Sequence, residues 1–80
     1  MSKLQTQLGA RIRELRDSTG LSREEYSARV HLSARRIATL ELGNGWPKAD
    51  TLERIARSFN VQVRDLFDFS SSRLIPRKPL

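Results

Sequence analysis

Leu52, Ile55, Ala56 and Phe59 stand at positions i, i+3, i+4 and i+7, and apolar residues at that interval share one side only when the backbone turns as an α-helix. The same interval governs the N-terminal stretch, where Leu4, Leu8, Ile12 and Leu15 follow one another at steps of four, four and three. Nowhere do apolar and polar residues alternate for long enough to make a strand, so a sheet has no segment to be built from. Helices must therefore supply the core, and a chain of 80 residues fits a single domain that buries roughly 60% of its unfolded surface.

Punctuation divides these helices. Gly20 stands where the first commonly ends. Ser22-Arg23-Glu24-Glu25 has the form of a capping box, in which the serine oxygen and the Glu25 carboxylate each accept from the other's backbone N–H, so a second helix starts at about Arg23. It carries Tyr26 and Val30 before His31-Leu32 interrupts it, and Ser33 offers an N-cap for a third helix over roughly Ala34 to Leu42. Gly43-Asn44-Gly45-Trp46-Pro47 is dense in turn formers, and Pro47 forces the residue before it out of the helical region. Helix four then carries the Leu52–Phe59 pattern and breaks at Asn60, and Val63, Leu66 and Phe67 repeat the period in a short fifth helix. Ser70-Ser71-Ser72 with Pro76 and Pro79 leaves residues 70–80 without a period. The expected architecture is all-α, five short helices packed in one domain over residues 1–69, followed by an irregular basic tail over 70–80.

Fifteen Lys+Arg against nine Asp+Glu give a net charge of +6 and a pI near 11.1, the balance of a surface that attracts phosphate polyanions. Charge alone does not decide, because a basic surface also serves solubility. The chain has no cysteine, which rules out a disulfide framework and a Cys-type zinc site and suits a reducing cytosol. No apolar run approaches the roughly 20 residues of a membrane span, and the N-terminal stretch lacks the apolar segment of a signal peptide. His31 is the single histidine, Glu24 and Glu25 point to different sides of a helix, and Gly43-Asn44-Gly45 lacks the lysine of a phosphate-binding loop. No catalytic residue, metal site or cofactor is expected, and the cytoplasm is the expected location.

Helix three carries the most informative arrangement. At about 100° per residue, Ile37 and Leu40 define its buried side with Ala34 and Glu41 beside them. Arg35, Thr39 and Leu42 point the other way, and Arg36 sits on the flank. The outward strip therefore begins with two arginines that no acidic neighbour neutralises. A carboxylate turned toward the core, by contrast, needs a cation. Arg16 lies about 40° from Ile12, at the edge of helix one's apolar face, so the spacing predicts a partly buried structural Arg16–Glu41 pair. The alternative is that Glu41 bends out to solvent.

The ordered set Leu8-Gly9-Ala10-Arg11-Ile12-Arg13-Glu14-Leu15-Arg16, Gly20 to Glu25, Leu32-Ser33, Ile37, Leu40-Glu41, Gly43, Pro47, Thr51-Leu52, Ile55-Ala56, Val61 and Asp65-Leu66-Phe67 resembles the helix-turn-helix domain of Cro and lambda repressor, the XRE-type regulators. The likeness covers about residues 8 to 67. It implies a DNA-binding domain in which helices two and three form the motif and helix three enters the major groove, with an Arg–Glu pair at Arg16 and Glu41. The family's base-reading sites fall on Ala34, Arg35 and Thr39, with Arg36 beside them. Arg35 leads, since an arginine donates two parallel bonds to guanine O6 and N7. The phosphate-contacting site at the start of helix two falls on Arg23, and Ser33, Asn44 and Lys48 are the other phosphate candidates. Three positions depart from the family pattern: His31 replaces a common glycine, Ser27 a small alanine, and Tyr26 a leucine whose place its ring can fill if the hydroxyl finds a polar exit.

Leu66, Phe67, Phe69, Leu74 and Ile75 supply more apolar surface than a domain end usually leaves uncovered, and Trp46, beside a proline and just before an apolar helix, closes either the core edge or an interface. They are the expected interface of a homodimer, which would place two recognition helices about 34 Å apart on a pseudo-palindromic double-stranded operator. The resemblance implies a small transcriptional regulator, a repressor or a controller of its own operon. A second reading is an antitoxin that masks a toxin partner and binds the shared promoter through the same helix. Arg73, Arg77 and Lys78 of the tail fit either phosphate contacts or plain solvation.

Overall fold

The computed structural model describes residues 2–69, in the order α1 (Lys3–Thr19), α2 (Arg23–Val30), α3 (Ala34–Glu41), α4 (Ala49–Ser58) and a 3-10 helix over Val63–Phe67. No strand occurs among the described residues. Each α-helix start up to α3 is capped by a serine. Ser2 and Gln5 close a capping box at α1 and Ser22 and Glu25 another at α2, and the Ser33 hydroxyl accepts from the Arg36 N–H at 3.0 Å. The bonds from the Ser22 N–H and the Ser22 hydroxyl hold the Glu25 carboxyl below its ordinary range. Gly20 ends α1 in the left-handed region at φ 77°, and Leu42 caps α3, which ends one residue earlier than its spacing predicts.

The fifth element differs from expectation: it is a 3-10 helix, not an α-helix. Its five residues are bracketed by extended Gln62 and by Asp68, and the Asp65 N–H donates to the Gln62 carbonyl at 2.9 Å, three residues back. So short a piece cannot close enough α-type rings to offset the cost of nucleation, and the tighter turn takes over.

Leu8, Ile12, Tyr26, Val30, Ile37, Leu40, Ile55, Ala56 and Leu66 form the buried core. Leu4 is not among them and is 44% exposed. Steps of four on an α-helix drift by about 40° each, so Leu4 has rotated well away from the direction of Ile12, and on the opposite side of that direction the buried position is taken by Arg16. Leu66 corrects another expectation. It is 0% exposed, packed inside its own domain, and so cannot face a partner. Leu74 and Ile75, with the rest of the 70–80 segment, lie outside the described residues.

Tyr26 fills its place as a stacked partner of Phe59, with ring centroids 5.0 Å apart, and its hydroxyl meets Ser58 Oγ at 2.6 Å. Burial pushes its phenol pKa up. Gly9 sets the closest approach of α1 to α3. A Cβ there would overlap the Leu40 carbonyl oxygen and come within 2.8 Å of the Glu41 carbonyl oxygen.

Gly9→Ala is therefore expected to destabilise the domain by about 1–3 kcal/mol in urea denaturation, since the clash is with backbone that cannot rotate aside. Tyr26 carries a pH signature. Its folded pKa is raised, so its contribution is complete below the unfolded value of 10.0 and is lost as pH rises through the folded value. Tyr26→Phe is expected to remove that part of the alkaline decline in melting temperature, at a cost near neutral pH of about 1 kcal/mol for the lost hydrogen bond.

Candidate nucleic-acid interface

The turn between α2 and α3 comprises residues 31–33. His31 adopts φ 59° and ψ 39°, the left-handed conformation a glycine would take freely, and its own N–H donates to the Ser27 carbonyl at 3.0 Å. Arg54 of α4 donates through Nη1 to the His31 carbonyl at 3.2 Å, satisfying an oxygen that the end of α2 leaves open. Nothing in the spacing of α4 singles out Arg54, because its target is a backbone atom.

Beyond the turn, Arg35 is exposed, whereas Ala34, Arg36 and Thr39 are half-buried. Thr39 donates its hydroxyl to the Arg35 carbonyl at 2.9 Å, which commits its proton to the helix and leaves a methyl group and lone pairs for other contacts. Arg36 leans toward the following loop: its Nη1 lies 3.3 Å from where a Cβ on Gly45 would stand. Asn44 is fixed by its backbone N–H on the Thr39 carbonyl at 3.0 Å, and its side chain and that of Lys48 are exposed. Ser33 spends its oxygen as the α3 cap.

Behind this strip lies a buried ion cluster. Arg16 donates through Nε to Glu41 Oε2 at 2.6 Å and through Nη2 to Oε1 at 3.1 Å, while its Nη1 reaches the Leu21 carbonyl at 2.8 Å. The Glu41 hydrogen bond is the largest cause holding the Arg16 guanidinium pKa above its ordinary value, against the opposing effect of burial. Glu41 does not bend to solvent. Arg23, expected to serve phosphate alone, also donates through Nε to Glu41 Oε1 at 2.9 Å. The available signal was that Arg23 opens the helix next to α3, close to a carboxylate in need of cations. No buried side-chain polar atom among the described residues lacks a partner.

In the loop after α3, Trp46 is 47% exposed and tilts against Phe67 at 6.3 Å, and Phe67 meets Phe69 edge-on at 6.2 Å. These three rings remain of the six residues expected at an interface. Among the described residues no group of three or more His, Cys, Asp or Glu side chains converges as a metal site, and no helix is long and apolar enough to cross a membrane.

The sequence of residues 7–68 matches the family described as "Helix-turn-helix domain". Two proteins of Archaeoglobus fulgidus, each named an uncharacterized HTH-type transcriptional regulator, are similar to this chain. One is 38% identical over 64 residues, 80% of this chain and 91% of the relative. The other is 34% identical over 64 residues, 80% and 90% of the two chains. No solved structure matches.

The ion cluster makes unequal demands on its two arginines. Arg16→Met removes the bidentate partner of a buried carboxylate, which then keeps only its bond from Arg23, and is expected to cost about 3 kcal/mol in urea denaturation. Arg23→Met, at a half-exposed site with Arg16 still in place, is expected to cost less than about 1 kcal/mol. Equal losses would mean that the two guanidiniums share the buried charge evenly.

Proposed function

Because this chain belongs to the helix-turn-helix domain family, we propose that it is a sequence-specific double-stranded DNA-binding regulator that lays α3 in the major groove. The exposed Arg35, on a helix whose opposite side is buried through Ile37, Leu40 and Glu41, is the observation that carries this reading. A guanidinium there is free to fork onto a guanine edge. Thr39 offers its methyl to a thymine, Ala34 leaves room beside it, and Arg36 works at the border between base and backbone. Ser33, Asn44 and Lys48 flank the strip as phosphate contacts. Binding needs no bond-making chemistry and no cofactor.

Two copies joined through the Trp46, Phe67 and Phe69 rings would read an inverted repeat. Repression, or control of its own operon, is the regulatory outcome we assign. The same aromatic face would seat a toxin in the antitoxin reading, and a tight complex with an unlike chain, in place of self-association, would favour that alternative.

Selection from random duplexes should yield a short inverted repeat. Arg35→Ala is expected to relax preference at one base pair, a loss of about 1–3 kcal/mol of discrimination, whereas Lys48→Ala should weaken all sequences alike and lower the salt slope by about 1. An Arg35→Ala protein that selects the same site would move the reading surface elsewhere. Sedimentation of the wild type is expected to show dimers that Trp46→Ser dissociates, and monomers with and without operator would remove the two-copy arrangement.

A further inference from the structure

The Glu41 side chain is fully enclosed, yet it meets two guanidiniums. One bidentate arginine suffices to satisfy a carboxylate's charge, and Arg16 is so committed that none of its three nitrogens remains without an acceptor. Asp17, 3.7 Å from Arg16 Nη2, and Glu24 add their charge to the Arg16 side of the cluster. Arg23 is placed differently. Its Nε is fixed on Glu41 Oε1, its side chain is 36% exposed, and Glu41 is its one ion-pair partner among the described residues. The terminal nitrogens, which are rigidly coplanar with Nε, meet no acceptor among those residues. A long side chain that would otherwise sample many rotamers is thus pinned at its inner nitrogen and leaves its outer donors unused.

We infer that Glu41 is a positioning residue for DNA binding: it anchors Arg23 through Nε so that the terminal nitrogens of Arg23 grip one backbone phosphate beside the helix-turn-helix. This rests on the DNA-binding reading above and adds to it a physical link between the interior and the grip. Phosphate, not a base edge, is the fitting ligand, because Arg23 is the first residue of α2 rather than part of the α3 strip, and the paired donors of a guanidinium match two phosphate oxygens. Lysine cannot do the same work. A single ammonium can go to Glu41 or to the phosphate, and it has no second, coplanar set of donors.

The test measures affinity of the full chain for its selected duplex across a salt series, for wild type, Arg23→Ala and Arg23→Lys, with a melting curve for each free protein. Arg23→Ala is expected to lower the slope of log affinity against log salt by about 0.9, the release of one counterion. Arg23→Lys is expected to bind about tenfold more weakly than wild type despite its charge. A role confined to neutralising Glu41 would change the melting curves and leave slope and affinity where they were, and that result overturns the proposal. Lysine binding as tightly as arginine also overturns it, because charge without anchoring would then suffice, and this arm stands even if the alanine variant fails to fold. A wild type with no salt-dependent duplex binding would remove the DNA reading itself, whereas salt-dependent binding with an unaltered alanine slope would remove only the anchored grip.

Discussion

One carboxylate organises this domain. Glu41 stands at the last turn of α3, and through it α3 is tied to α1 by Arg16 and to the start of α2 by Arg23, while Arg16 also holds the Leu21 carbonyl in the intervening loop. Taking such charges out of water is expensive, and their attraction at best returns that cost. The cluster is therefore better understood as a device for orientation than as a source of net stability. A rotation of α3 that drew Glu41 away from both Arg16 and Arg23 would leave a buried charge unanswered, and this pins the face of α3 that carries Arg35.

Packing reinforces the same relation. Gly9 lets α1 approach the C-terminal turn of α3 to backbone contact, and Gly43, at φ 81°, lies close against Thr6. The approach brings Arg16, two turns further along α1, within reach of Glu41. On the other side, Arg54 bonds the His31 carbonyl and Tyr26 of α2 reaches Ser58 of α4, so α4 braces the turn from behind. A domain of this size has a narrow stability margin, and it concentrates its polar interior around the one helix that the proposed function needs in a fixed pose.

Much of this was legible in the sequence because helical periodicity reports direction. The period of Leu8 and Ile12 puts Arg16 at the edge of the core face, and that of Ile37 and Leu40 turns Glu41 inward, so each charge needs a partner and the other is the candidate. The Ser22 and Ser33 caps and Gly20 were legible from local backbone chemistry, whereas the Ser2 cap of α1 was not. Depth was not legible. Leu66 and Phe67 are adjacent and apolar, but only the packed fold tells the enclosed one from the half-exposed one, and Leu4 shares a period with the core while lying past its edge. Arg23 was readable as a cation at a helix start, whereas its bond to Glu41 depends on how α2 crosses α3. Gly9 entered only as one member of the family-like run, since a small residue inside a helical pattern signals close packing only once its neighbour is known. Of the proposed DNA contacts, the sequence conveyed residue chemistry and the structure added exposure and local bonding.

In the proposed function an interior ion cluster holds α3 so that its Arg35 side meets DNA. Nuclear magnetic resonance of the labelled protein, titrated with its selected duplex and observed at backbone amides and arginine Nε–H groups, tests it most directly. Large shifts are expected at residues 33–39, 44 and 48 and at the Arg23 side chain, with the Arg16 Nε–H slow to exchange before and after DNA is added. Shifts centred on Trp46, Phe67 and Phe69 with α3 silent, or an Arg16 Nε–H that exchanges as quickly as those of surface arginines, would contradict it.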